Sequence, residues 1–133
     1  MMMVLWILLA AVVVAMGYVR LAPSDTVRWH GPLEVSADRD LPTGVERVIA
    51  AGPETLARLD ALIRATPRTQ VLAGTVQDGL ITYVTRSRVF GFPDYTTVQQ
   101  VDDTIRILGR LRFGQSDLGV NKARVDGWIR ALQ

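Results

Sequence analysis

Five arginines fall in two short runs. Arg86 and Arg88 sit two apart in LITYVTRSRVF, and Arg106, Arg110 and Arg112 sit at even spacing in TIRILGRLRF. Side chains at even spacing on an extended strand share a face. Two such strands in one sheet could therefore converge several guanidiniums on one point. A guanidinium offers a planar, bidentate fork to carboxylate or phosphate, so the chemistry to expect is recognition of an anion: a lipid phosphate, a carboxylate or a partner's acidic patch. The competing reading is a solvated face whose arginines pair with Asp94, Asp102, Asp103 or Asp117.

Asp117 and Asn121 lie in a second polar stretch, FGQSDLGVN, where Gly114 and Gly119 permit positive φ. Asn121 is expected to cap the helix that follows, its side-chain oxygen accepting from exposed N–H groups. Asp117 is expected to bond its own backbone two residues on or to pair with an arginine. A helix start beside arginines can also hold an anion. The candidate anion- or partner-binding set is thus Arg86, Arg88, Arg106, Arg110, Arg112, Asp94, Asp117 and Asn121.

Little points to catalysis, a metal or a cofactor, and none is expected. His30 is the single histidine and there is no cysteine, which removes thiolate metal sites and disulfides. A Ser-His-Asp arrangement would have to recruit His30 from outside the folded unit. There is no glycine-rich phosphate loop or dinucleotide fingerprint. The net charge of +2, without a basic tract interleaved with aromatics, argues against nucleic acid.

The elements that must position these residues follow from periodicity. GVERVIAAG reads as a first strand. A helix with Pro53 at its first position carries Leu56, Leu59, Leu62 and Ile63 on one face and stops at Thr66, before Pro67. TQVLAGTV and LITYVTRSRVF flank Asp78-Gly79, a hairpin signal. GFPDY turns into TTVQQV, Asp102-Asp103 turns again, and TIRILGRLRF is the last strand. Val125, Trp128, Ile129 and Leu132 stripe a closing helix. The expected fold is α+β: strand, helix, three or four antiparallel strands, helix, with both helices on one face, over residues 45–133.

Residues 1–19 carry no charged side chain and end at Arg20, which is about the length needed to cross a hydrocarbon core. Residues 1–20 are expected to be a retained single-pass anchor in a bacterial inner membrane, with Trp6, Tyr18, Arg20 and Trp29 at interfacial depths. A cleaved secretory signal with a small-residue site at Ala15 is the alternative. Arg20 and Arg28 favour a cytoplasmic domain, whereas a short N-terminal anchor commonly delivers its domain across the membrane; the expectation is periplasmic. Residues 21–44, with three prolines and no sustained period, read as an extended juxtamembrane linker.

The segments SRVFGFPDYTTVQ and IRILGRLRFGQSDLGVNKARVDGWIRAL resemble the bacterial and plastid family known as domain of unknown function 1499, over about Pro53 to Leu132 and most densely at Gly114 to Asn121. The resemblance implies a soluble domain tethered to, or exported across, a membrane and carries no established activity. The chain departs from the family pattern in two places. Arg106-Ile-Leu-Gly-Arg110-Leu-Arg112 stands where relatives tend to read Arg-Ser-x-Ser-Arg, and Asp94 stands alone where relatives often carry two aspartates.

These readings lead to a non-enzymatic, membrane-anchored interaction domain, an accessory or stabilising subunit whose partners are other membrane-protein subunits and the lipid bilayer. The alternative is a binding module or enzyme for an anionic small molecule or lipid headgroup at the membrane surface.

Overall fold

The computed structural model describes residues 1–133. Helix α1 (Met2–Leu21) has a mean hydropathy of 2.5 over its apolar window and buries none of its residues. Twenty residues at 1.5 Å each span about 30 Å, the thickness of a hydrocarbon core. A one-turn helix α2 (Thr26–Trp29) follows. Then come β1 (Arg39–Leu41), β2 (Gly44–Ala50), α3 (Thr55–Arg64), β3 (Thr69–Thr75), β4 (Leu80–Arg86), β5 (Pro93–Val101), β6 (Thr104–Leu111) and α4 (Val120–Leu132).

The fold is α+β, as the order of periods predicts. All six strands form one open antiparallel sheet in the order β1-β2-β6-β5-β4-β3. The strand beyond the expected count is β1, three residues that pair Arg39–Leu41 with Gly44–Glu46 across a tight turn. The Asp78-Gly79 turn joins β3 to β4 with Gly79 at φ 69°, and Asp102 at φ 54° turns β5 into β6.

Helices α3 and α4 cover one face. The leucine stripe of α3 and Val125 and Trp128 of α4 pack on Val45, Ile81, Tyr83, Val98, Ile105 and Ile107 to make the apolar core. Polar contacts tie the layers together at its rim. The Tyr83 hydroxyl donates to Asp60 of α3 at 2.6 Å; burial, then that carboxylate, push the phenol well above its usual range. Trp128 Nε1 donates to Thr66 Oγ1 at 2.9 Å. Arg47 bridges β2 to Asp126 of α4 at 2.9 Å and also reaches Asp40 at 2.8 Å. The hydrogen bond from Arg47 holds the Asp126 carboxyl below the ordinary carboxylate range.

The second face is covered by the chain's own residues 22–35. This segment, with the single turn of α2 inside it, lies flat on the sheet as a strap. Ala22, Trp29, Leu33 and Val35 are all buried. Trp29, expected at the depth of a membrane interface, instead stacks on Tyr95 of β5 with ring centroids 4.2 Å apart and planes 14° from parallel. An indole near a bilayer and an indole over a polar sheet face have the same sequence appearance, because both want one apolar side and one polar edge.

Candidate functional site

The eight candidate residues separate into three places. Arg106 and Arg110 share a face of β6, as their even spacing requires, that face is the one beneath the strap, and Arg112, one residue past the strand end, turns to the same side. Arg110 Nη2 donates to the carbonyl of Trp29 at 2.7 Å, and its guanidinium carbon lies 5.2 Å from the indole centroid. Arg106 donates to the carbonyl of Leu33 at 3.4 Å, and Arg112 to the carbonyl of Pro23 at 3.0 Å and to the Tyr95 hydroxyl at 3.2 Å. Thr82 and Thr97 add hydroxyls at 3.5 and 3.4 Å from the Trp29 carbonyl, and Gln99 accepts from Leu33 N at 2.9 Å. The single histidine joins the same layer, its Nδ1 at 2.8 Å from Thr82 Oγ1. This layer is neither open to an external anion nor solvated and paired with aspartates. Burial lowers the Arg110 pKa, and its Nη1 has no hydrogen-bond partner.

Asp94, Asp117 and Asn121 gather on the opposite side of the sheet, around the start of α4. Asp94 lies on the helix-covered face of β5, 3.2 Å from Arg124 of α4. Asn121, fully buried, donates from Nδ2 to Asp117 at 3.0 Å and accepts from Arg124 at 3.1 Å. The expected cap is therefore reassigned. Gly119, at φ 78°, occupies the cap position, and Asp117 accepts from the backbone N–H of Gly119 and of Asn121 at 2.9 and 3.1 Å. Asn121 sits inside the first turn because Gly109 beneath it leaves room: a Cβ there would lie 3.3 Å from Asn121 Oδ1 and from Val125 Cγ2. Burial raises the Asp94 pKa against the pull of Arg124, with Asp117 adding to the rise. The cluster is internally satisfied and built to seat α4 on β5 and β6.

Arg86 and Arg88 belong to the third place. Arg88 is not on the β4 strand face; it lies beyond the strand end, exposed, in the turn that begins the 87–92 loop. Arg86, at the end of β4, donates to the carbonyl of Gly91 at 3.0 Å and to that of Val19 in α1 at 3.3 Å. Arg20, from the last turn of α1, donates to the carbonyl of Val89 at 2.7 Å. The loop can approach α1 this closely because position 91 is glycine: a Cβ there would stand 2.8 Å from Arg20 Cγ, and its φ of 71° suits glycine. Across the β3–β4 hairpin Arg68 has a left-handed backbone, φ 57°, and its Nε donates to the Arg86 carbonyl at 3.1 Å.

Arg20, Arg68, Arg86 and Arg88 line one open groove of about 500 Å³, together with Thr69, Gln70 and Ser87. No carboxylate lines it. The ion pairs of the molecule all use Arg39, Arg47, Arg64, Lys122 or Arg124, so none of the four groove arginines is neutralised by an acid. Forked guanidinium donors with hydroxyl and amide groups beside them are suited to a phosphate or another multivalent oxyanion.

Sequence reasoning placed Arg20 only at the membrane and did not name Arg68. A signal existed: counting back from the Asp78-Gly79 turn puts Arg68 within a residue of facing Arg86. The one-residue shift comes from the irregularity between Val71 and Ala73 in the β3–β4 register.

An apolar helix of membrane-spanning length followed by a strapped, six-stranded α+β domain defines the class of the molecule. The chain belongs to the family described as protein of unknown function (DUF1499), whose model matches residues 31–132. A search of curated proteins finds no match. The family match covers the sheet and the helices α3 and α4; Trp29 and the earlier half of the strap precede it.

Proposed function

We propose that this protein is a membrane-anchored binding module that holds a phosphate-bearing group, as on an anionic lipid headgroup, in the groove of Arg20, Arg68, Arg86 and Arg88. The observation that carries the reading is the position of four acid-free guanidiniums where the apolar helix ends. If α1 spans a bilayer, residues 18–20 lie at the hydrocarbon boundary and the groove opens at headgroup depth. We take that bilayer to be a bacterial inner membrane with the domain on its periplasmic side, to which a short N-terminal anchor commonly delivers its domain. Contacts from the domain to the carbonyl of Val19 and from Arg20 to Val89 tie the end of α1 to the groove.

The accessory-subunit reading draws on the anchor, the linker, the lack of a catalytic set and an arginine face of the sheet open to a partner. Arg106, Arg110 and Arg112 are instead engaged by the chain's own strap, so the groove is the better-supported binding surface.

The test uses the full chain in lipid nanodiscs containing phosphatidylglycerol or only phosphatidylcholine, with lipid retention read by native mass spectrometry. Each arginine near an anionic surface contributes about 1 kcal/mol, so Arg68→Gln together with Arg88→Gln should cut phosphatidylglycerol retention by more than tenfold. Retention unchanged by the double substitution, or equal for the two lipids, would remove the groove as the binding site. Inorganic phosphate competing as well as the lipid would reassign the groove to a soluble anion.

A further inference from the structure

The 87–92 loop beside the groove carries Val89, Phe90 and Phe92, which are 64, 50 and 42% exposed. Three large apolar side chains on one short loop would be a poor surface for contact with water. The loop is not a loose one: Ser87 N donates to the Phe92 carbonyl at 2.9 Å, Gly91 N donates to the Ser87 carbonyl at 3.1 Å, and Ser87 Oγ accepts from Phe92 N at 2.9 Å. Its apolar side chains are therefore displayed on a closed frame.

That frame is fixed at one level of α1. Arg20 holds the Val89 carbonyl and Arg86 holds the carbonyl of Val19. Aromatic rings continue from the helix to the loop: Tyr18 meets Phe113 edge-on at 6.3 Å, Phe113 meets Phe92 at 6.5 Å, and Phe92 meets Phe90 at 5.7 Å. Arg112 lies over the Phe113 ring at 5.0 Å, and Arg88 adjoins Val89 in the turn. Aromatic rings flanked by arginines with headgroup reach, at the end of an apolar span, form the composition that settles at a membrane interface.

We propose that the 87–92 loop is a second membrane contact, seating Val89 and Phe90 in the interfacial layer of the same leaflet from which α1 emerges. The inference rests on the reading of α1 as a bilayer anchor and not on what the groove binds. Insertion of this loop beside the helix holds the domain in one orientation, with the arginine groove facing the headgroups instead of swinging on a single tether. Burial of the apolar loop supplies the affinity, and the flanking arginines favour an anionic leaflet.

The absence of cysteine makes single-cysteine labelling direct. The full chain is reconstituted in phosphatidylglycerol–phosphatidylcholine vesicles with an environment-sensitive fluorophore on Phe90→Cys, with Val89→Cys as a second loop position should the first disturb folding. Val12→Cys in mid-helix and Gln77→Cys, in the turn at the opposite end of β4, are the references. Quenching by doxyl-labelled lipid is compared with quenching by aqueous iodide. Positions 89 and 90 should behave as position 12 does, with blue-shifted emission and several-fold stronger quenching by the lipid probe, while position 77 shows the reverse. Loop labels that follow position 77 while position 12 stays shielded would overturn the loop contact and leave the anchor standing. Iodide access at both 12 and 90 would overturn the anchor and the loop together. A groove that fails to retain phosphatidylglycerol leaves the pattern at position 90 unchanged, so the two readings fail separately.

Discussion

The two faces of the sheet are covered by different kinds of chain, and each face has the chemistry its cover requires. Beneath α3 and α4 lie Val45, Ile81, Tyr83, Val98, Ile105 and Ile107. A helix satisfies its own backbone, so what it needs from the sheet is apolar area. Beneath the strap lie Thr82, Tyr95, Thr97, Gln99, Arg106 and Arg110. Apart from the single turn of α2 the strap makes no internal ladder, so its part-buried carbonyls at Trp29 and Leu33 must find donors in the surface below, as the more exposed carbonyl of Pro23 also does. A polar sheet face can therefore be an interior one when the layer on top of it leaves backbone carbonyls without partners of its own.

The widest test of this comparison is truncation of one tryptophan on each side. Trp29 of the strap and Trp128 of α4 are equally buried, each 7% exposed. Trp29→Ala and Trp128→Ala should each cost about 3–5 kcal/mol, a large part of the stability of a small domain. Chemical denaturation of the full chain in detergent measures both. A loss below about 0.5 kcal/mol for Trp29→Ala, the range of an ordinary surface change, would mean that the strap is a tether and not a layer.

The same comparison explains what the sequence made legible. The helix-covered face was readable because alternation on β6 and the stripes on α3 and α4 are periodic and apolar, and the core takes Leu56, Leu59, Ile63, Val125 and Trp128 from those stripes, with Leu62, Ile129 and Leu132 partly buried beside them. The strap carries no period, and a sheet face that donates to carbonyls has the composition of one that donates to water. So the grouping of Arg106, Arg110 and Arg112 could be read from their spacing, while their partners could not. At the start of α4 the residue types pointed to a capped turn, but Asp117 and Asn121 exchange roles because burial of position 121 depends on Gly109 in a distant strand. The groove depends on Arg20, Arg68 and Arg86 from three elements, and only the hairpin register hinted at two of them.

Arg110 sharpens the comparison next. Its bond to the Trp29 carbonyl is short and charge-assisted, and such bonds are worth about 1.5–3 kcal/mol. Arg110→Met, which keeps an apolar stem of similar reach, should lose about 2 kcal/mol, and Arg110→Lys should not restore it because an ammonium cannot both lie over the indole plane and present the same fork. Protease cleavage within residues 22–35 should accelerate in both variants before the helix-covered core is attacked. Equal protection of the strap in Arg110→Met and the parent chain would place its retention elsewhere.

On the helix side, acid titration should separate two aspartates. Asp126 has a folded pKa below its unfolded value, so its contribution is present above about pH 4 and is lost as pH falls through the folded value. Asp94 is shifted upward, mainly by burial; its protonated form is favoured on folding, so the stability it adds is complete below about pH 4 and is lost as pH rises through its folded pKa. Asp126→Asn should cost about 1 kcal/mol at neutral pH, the pair with Arg47 being partly solvated, and should flatten the acid limb of stability against pH. Asp94→Asn should remove the opposing slope. Denaturation midpoints that keep the parent's pH dependence in both variants would contradict the assignment.

The smallest effect gives the closest contrast, because it uses one substitution at two consecutive residues. Thr96 and Thr97 are both buried on β5, and alternation sends them to opposite faces. Thr96, opposite Gly109, faces the helices, and its Oγ1 is buried without a hydrogen-bond partner. Thr97 Oγ1 lies 2.9 Å from Thr82 Oγ1 and 3.4 Å from the Trp29 carbonyl. Valine has nearly the shape of threonine, so Thr→Val changes the hydroxyl and little else. On the helix side it removes an unpaired polar atom and should raise stability by about 1 kcal/mol; under the strap it removes a donor and should lower stability by about the same. Opposite signs at adjacent positions follow only if one face is an apolar interior and the other a hydrogen-bonding interior. Two changes of the same sign would mean that the faces do not differ in the way their covers require.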